Sequence, residues 1–124
     1  MRFEINKDKL LYHLLIAQKA LSNKTPNPAL QGIKIDVEDN HVIITTSNSD
    51  ISIKILLEDG SLDIEETGSV LIPGKYFIEI IRKLDGQTVS LSHASDNMLK
   101  IEADHSDITL NMLELDDYPD LKLN

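Results

Sequence analysis

Two stretches of this chain repeat aliphatic residues at helical spacing and carry basic residues opposite, while most of the remainder alternates like β-strand. From Asp8 to Leu21 the apolar residues Leu10, Leu11, Leu14, Ala17 and Leu21 recur with that spacing. At about 100° per residue they share one face. Lys9, Tyr12, Ile16 and Lys19 fall on the other face, with His13 at its margin. Asn6 or Asp8 is suited to cap the start, and Pro26 and Pro28 oppose continuation. A second helix is expected over Gly74–Leu84, between Pro73 and Asp85-Gly86. Phe77, Ile80, Ile81 and Leu84 form its apolar stripe, and Lys75, Glu79, Arg82 and Lys83 point away from it.

The other segments read as short strands. Arg2–Asn6 places Phe3 and Ile5 inward, and Gly32–Glu38 alternates through Ile33, Ile35 and Val37. Val42–Thr46 follows a polar turn, and Ile51, Ile53 and Ile55 alternate after another. Ser69–Ile72, Thr88–Ser92, Leu99–Ala103 and Ile108–Met112 complete the set. In order, the elements run strand, helix, three strands, and then the same again. The pattern predicts an α+β fold made of a duplicated β-α-β-β-β unit, with two helices packed on antiparallel sheet. Residue identity between the halves is low, so the repeat is structural.

Side by side on that sheet, the helices would merge their basic faces into one patch. The net charge of −9 at first opposes a phosphate-bearing partner. Its distribution does not. Residues 1–25 hold five basic and two acidic groups, residues 75–83 hold three and one, and the rest holds four against eighteen. Screening over about 10 Å lets a local basic face act despite an acidic remainder.

The 124 residues amount to one domain with an aliphatic core, since aromatic residues make up only 4%. With no Cys there is no disulfide framework, thiolate site or thiol nucleophile. No apolar run reaches the length of a membrane span, and the charged N-terminus does not resemble a signal peptide, so a cytoplasmic protein is expected. His13, His41, His93 and His105 lack metal-ligand spacing. Glu114, Asp116, Asp117 and Asp120 lack the glycine and distal glutamate of a calcium loop. No nucleophile elbow or glycine-rich phosphate loop is present. Neither a catalytic residue nor a cofactor is expected. Leu115-Asp116-Asp117-Tyr118-Pro119-Asp120 reads as an acidic, extended linker. The expected division is therefore a domain over 1–114 and, over 115–124, the start of a linker to a second domain.

Several segments resemble one family in the right order. RFEINKDKLLYHLLIAQKALSNK, TPNPALQGIKI, TTSNSDISI, VLIPGKYFIEIIRKL and ELDDYPDL are similar to the N-terminal domain of the bacterial DNA polymerase III beta subunit, the sliding clamp, especially in Gram-positive members. The resemblance implies a DNA-clamp fold, three similar domains per subunit, and a ring-shaped homodimer around duplex DNA. It implies a non-catalytic processivity factor whose partners are the replicative polymerase and the clamp loader, both reached through the full-length subunit. The fragment alone is then expected to be monomeric.

The resemblance also proposes site residues. Lys24 matches a basic DNA-contacting position in the family's loop, with lysine in place of arginine, which keeps the charge but loses bidentate geometry. Lys9, Lys19, Lys75, Arg82 and Lys83 would meet phosphates without sequence preference; the ordinary alternative is a solvated helix face. Ile108 and Leu110 lie on the strand that pairs with the other subunit in the family, and the ordinary alternative for either is core burial. His105 and Asp107 stand near that strand where some members carry basic residues, so those members' intersubunit ion pairs do not transfer directly. The competing functional reading is a small acidic module that binds proteins through its sheet edges and has no role on DNA.

Overall fold

The computed structural model describes residues 1–21 and 27–119. Nine strands and two helices follow in order: β1 (Arg2–Asn6), α1 (Lys7–Ala17), β2 (Gly32–Val37), β3 (Val42–Ser47), β4 (Ser52–Leu57), β5 (Asp63–Glu66), β6 (Gly68–Pro73), α2 (Gly74–Lys83), β7 (Thr88–His93), β8 (Met98–Ala103) and β9 (Ser106–Asn111). The duplicated unit is present as β1-α1-β2-β3-β4 and β6-α2-β7-β8-β9. The single sheet expected from the sequence is in fact two antiparallel sheets, ordered β5-β1-β7-β8-β9 and β4-β3-β2-β6. Each half lends its first strand to the other half's sheet: β1 pairs with β7, and β6 with β2. Neither unit is complete alone. This exchange makes the domain one cooperative body.

The expected alternation is observed in β1, β2, β7, β8 and β9, while β3 and the short apolar β6 bury consecutive residues. Phe3 and Ile5 of β1, Ile33 and Ile35 of β2, Ile44 of β3, Ile72 of β6, Val89 and Leu91 of β7, and Leu99 and Ile101 of β8 are all inaccessible to solvent. They join Leu10, Leu14 and Ala17 of α1 and Phe77, Ile78 and Ile81 of α2 in one apolar cluster. Along β4 the pattern weakens, because this strand is an outer one: Leu57 is buried, Ile53 and Ile55 are half-buried, and Ile51 and Leu56 are exposed.

Helix α1 starts where Asn6 accepts a hydrogen bond from the Lys9 amide at 3.0 Å, so Asn6 rather than Asp8 is the cap. Regular α-helix stops at Ala17, short of the expected Leu21, and tightens into a 3₁₀ turn over Gln18–Ala20. The buried Thr46 hydroxyl donates to the Ala17 carbonyl at 2.7 Å, satisfying one of the acceptors a helix end leaves open. Replacing it by its isostere, Thr46→Val, keeps the volume and strands that carbonyl. A loss of about 1–3 kcal/mol is expected, read by denaturant unfolding.

Helix α2 opens on Pro73 without a side-chain cap. Its buried face is Gly74, Phe77, Ile78, Ile81 and Leu84, turned from the expected stripe so that Ile78 enters the core and Ile80 sits at its margin. A β-carbon at Gly74 would lie 2.6 Å from Leu21 Cδ1, 3.1 Å from the Gln31 carbonyl oxygen and 3.2 Å from Ile33 Cγ1, so the start of α2 packs closely against these neighbours. At the other end the Lys7 ammonium donates to the Leu84 carbonyl at 2.5 Å. The start of α1 meets the end of α2 and the reverse, so the helices are antiparallel neighbours.

Two expectations need correction. Strand β5 was not anticipated; it adds to the free side of β1, pairing Ile64 with Phe3. The acidic segment after β9 is not simply extended. Leu113 bridges to Leu71, Leu115–Asp117 forms a 3₁₀ turn, and Tyr118 is partly buried against the β4-β3-β2-β6 sheet, with its ring 6.0 Å from the Lys34 ammonium. Burial, with the Asp36 carboxylate nearby, pushes the Tyr118 phenol up to about 12.

Candidate nucleic-acid interface

The outward faces of the two antiparallel helices carry the expected cations. Lys9 and Lys19 of the first helical segment and Lys75, Arg82 and Lys83 of α2 are all exposed. Tyr12 and Tyr76 stand among them at 64% and 66% exposure, the largest apolar surfaces on this side. Arg82 and Lys83 lie in the last turn of α2, where positive charge is favoured by the carbonyl end of the helix. Lys24 lies outside the described residues.

These cations are not equivalent. Lys9 Nζ lies 2.5 Å from Asp59 Oδ2. Glu79 is shared by Arg82 at 3.6 Å and Lys83 at 3.8 Å, each about one turn further along α2. Among the described residues no ion-pair partner stands beside Lys19 or Lys75. Among the described residues the wall therefore has two open cations and three that already face carboxylates.

Asp59 was not among the residues singled out in the sequence. It sits in the turn between β4 and β5, and its Oδ1 accepts the Ser61 amide at 2.6 Å. The Ser61 hydroxyl in turn accepts the Asn6 amide at 3.2 Å, tying this turn to the start of α1. The hydrogen bond from Lys9, then those from Ser61, hold the Asp59 carboxyl down at about 2. Because the folded value lies below the unfolded one, the stabilisation is present above the unfolded carboxyl range and is lost as pH falls through about 2. In a Lys9→Gln variant the Asp59 midpoint, followed by carboxyl carbon NMR, should rise toward the ordinary aspartate range. An unchanged midpoint would remove Lys9 as the main cause. The turn itself is legible in Glu58-Asp59-Gly60-Ser61, but its partner lies about fifty residues earlier, beyond any local pattern.

The proposed subunit-contact residues lie far along the other sheet. Strand β9 is the outer strand of β5-β1-β7-β8-β9, hydrogen-bonded on one side to β8. Ile108 and Leu110 are both half-buried and packed against the core, opposite Ile101 and Leu99. His105 is exposed in the β8–β9 turn, and Asp107 faces Lys100 at 3.7 Å. The strand has open backbone groups on its outer side, and an edge of this kind is a template for pairing. Among the described residues no three His, Asp or Glu side chains converge on a cation position.

A duplicated β-α-β-β-β unit, with adjacent cationic helices backed by antiparallel sheets, defines a clamp-type domain. Residues 1–122 match the family described as DNA polymerase III beta subunit, N-terminal domain, and the chain belongs to that family. The beta sliding clamp of Staphylococcus epidermidis is 43% identical over 124 residues, covering 96% of this chain and 33% of that protein. The chain thus spans about a third of the length of the curated relatives it matches. The DNA polymerase sliding clamp of Bacillus subtilis superposes with a TM-score of 0.93 at 36% identity, over 99% of this chain and 34% of that one. The Helicobacter pylori beta clamp, solved bound to a DNA ligase peptide, gives 0.89 at 25% identity over 100% of this chain and 34% of that one.

Proposed function

We propose that this domain is one segment of a ring that encircles duplex DNA, slides along it and tethers the replicative polymerase. The observation that carries this reading is the wall of two antiparallel helices bearing five cations on a chain of net charge −9. Point contacts from lysine and arginine to phosphates attract without reading sequence, so they set no register that would stall movement. Topology then supplies the retention that affinity does not. Nucleotide addition is the polymerase's chemistry, and this chain needs no catalytic group or cofactor. Family membership favours this over an acidic module that acts only through its sheet edges.

The ring would close as a homodimer, with the open side of β9, including Ile108 and Leu110, adding to a sheet of the other subunit. Polymerase and loader would reach the ring through the parts of the subunit that this chain does not span. No described helix is long and apolar enough to cross a membrane, which agrees with a cytoplasmic site of action. Alone, the 124-residue chain is expected to sediment as a monomer, since β9 is proposed to pair with a different part of the other subunit; a stable dimer in sedimentation equilibrium would contradict this closure. For the function, rings assembled from subunits carrying this domain should lengthen the products of a loader-assisted polymerase on primed circular template. Product lengths that do not respond to the ring would overturn the proposal.

A further inference from the structure

The carboxylates on the helix wall have no part in attracting DNA, yet they are placed with care. Asp59 is not a surface side chain free to wander. Its Oδ1 is fixed by the Ser61 amide, its turn is tied to the Asn6 amide through the Ser61 hydroxyl, and its Oδ2 meets Lys9 Nζ at 2.5 Å. The Lys9 amide is itself held by Asn6, so both partners are anchored on one capped helix start. On α2, Glu79 stands between Arg82 and Lys83. Surface ion pairs usually contribute little because two long side chains must be ordered to make them. Here the Asp59 carboxylate is ordered beforehand by the Ser61 backbone amide.

We propose that Asp59, with Glu79 as its counterpart on α2, is a built-in counter-ion that withholds Lys9, Arg82 and Lys83 from DNA phosphates and so keeps the wall slippery. This deepens the ring reading above and rests on it. A phosphate can recruit Lys9 only by displacing a carboxylate already in contact, and that carboxylate stays beside the phosphate and repels it. The lysine therefore adds little to the net gain from released counter-ions. Lys19 and Lys75 supply the attraction, and the paired cations moderate it.

The test uses rings assembled from subunits carrying this domain, loaded on a stretched duplex and followed by single-molecule tracking across a salt series. Asp59→Asn is the main variant, because the amide oxygen can still accept from Ser61 while the charge is lost. D59N, and more so D59N/E79Q, should slide severalfold more slowly at 50 mM salt, with a penalty that relaxes roughly threefold per freed contact by 200 mM. Adding Lys9→Gln to D59N should restore the original mobility. Unchanged sliding in D59N, alongside faster sliding in Lys19→Gln, would overturn the counter-ion proposal and leave the ring reading standing. Failure of every ring, unmodified included, to stay on the duplex would instead overturn the ring reading.

Discussion

Phe77→Ala should lower the stability of this domain by about 3–5 kcal/mol, while Tyr76→Ala beside it changes stability by less than about 0.5 kcal/mol. Phe77 is inaccessible to solvent and is one of the largest fully buried side chains, whereas Tyr76 is 66% exposed. Truncating Phe77 removes apolar area and leaves a cavity where α2 packs on β2, β6 and α1, and a close-packed interior relaxes only in part. Against a total stability of order 5–15 kcal/mol this is a large fraction, corresponding to a fall in Tm of more than about 10 °C. Thermal unfolding followed by circular dichroism reads both variants. Similar Tm values for the two would mean that α2 does not face the core as described.

The second large effect concerns DNA. Lys19→Gln with Lys75→Gln removes the two cations of the wall that have no carboxylate beside them among the described residues. The slope of log K against log salt should flatten by about 1.8 for the pair, which weakens association at 50 mM by roughly two orders of magnitude. Lys9→Gln should change it far less. The comparison is made on the chain itself with a short labelled duplex, by fluorescence anisotropy over a salt series. The unmodified chain is expected to bind weakly and with strong salt dependence. A tight, salt-resistant complex would contradict a wall made of phosphate contacts.

Much of this architecture is written locally. The spacing of Leu10, Leu14 and Ala17, and of Phe77, Ile81 and Leu84, gave both helices and their inward sides. Period-two alternation, with one short apolar run at Ser69–Ile72, gave eight of the nine strands to within a few residues. Strand β5 escaped because Asp63–Glu66 offers one apolar residue, Ile64, among three acids; only the open side of β1 makes it a strand. The two-sheet arrangement escaped for a related reason. Alternation tells a strand which side faces inward, but the exchange of β1 and β6 between halves is set by contacts across the whole chain. The docking of Leu113 on Leu71 is likewise long-range, and an acidic, proline-containing segment gives no local sign of it.

For the interface, composition and periodicity together indicated which cations face outward. They did not indicate which are already paired. The i,i+3 and i,i+4 spacing of Glu79 to Arg82 and Lys83 was readable and predicts such contacts, but the Lys9–Asp59 pair depends on a turn folded back onto the helix start. The distinction between open and occupied cations therefore comes from tertiary structure.

The most direct measurement loads labelled rings, assembled from subunits carrying this domain, onto a nicked circular duplex and then cuts the circle once. Rings that persist on the intact circle through gel filtration in moderate salt, and leave within moments of linearisation, are the result expected if threading rather than affinity holds them. Rings that remain bound to the linear product, or that never remain on the circle, would contradict it.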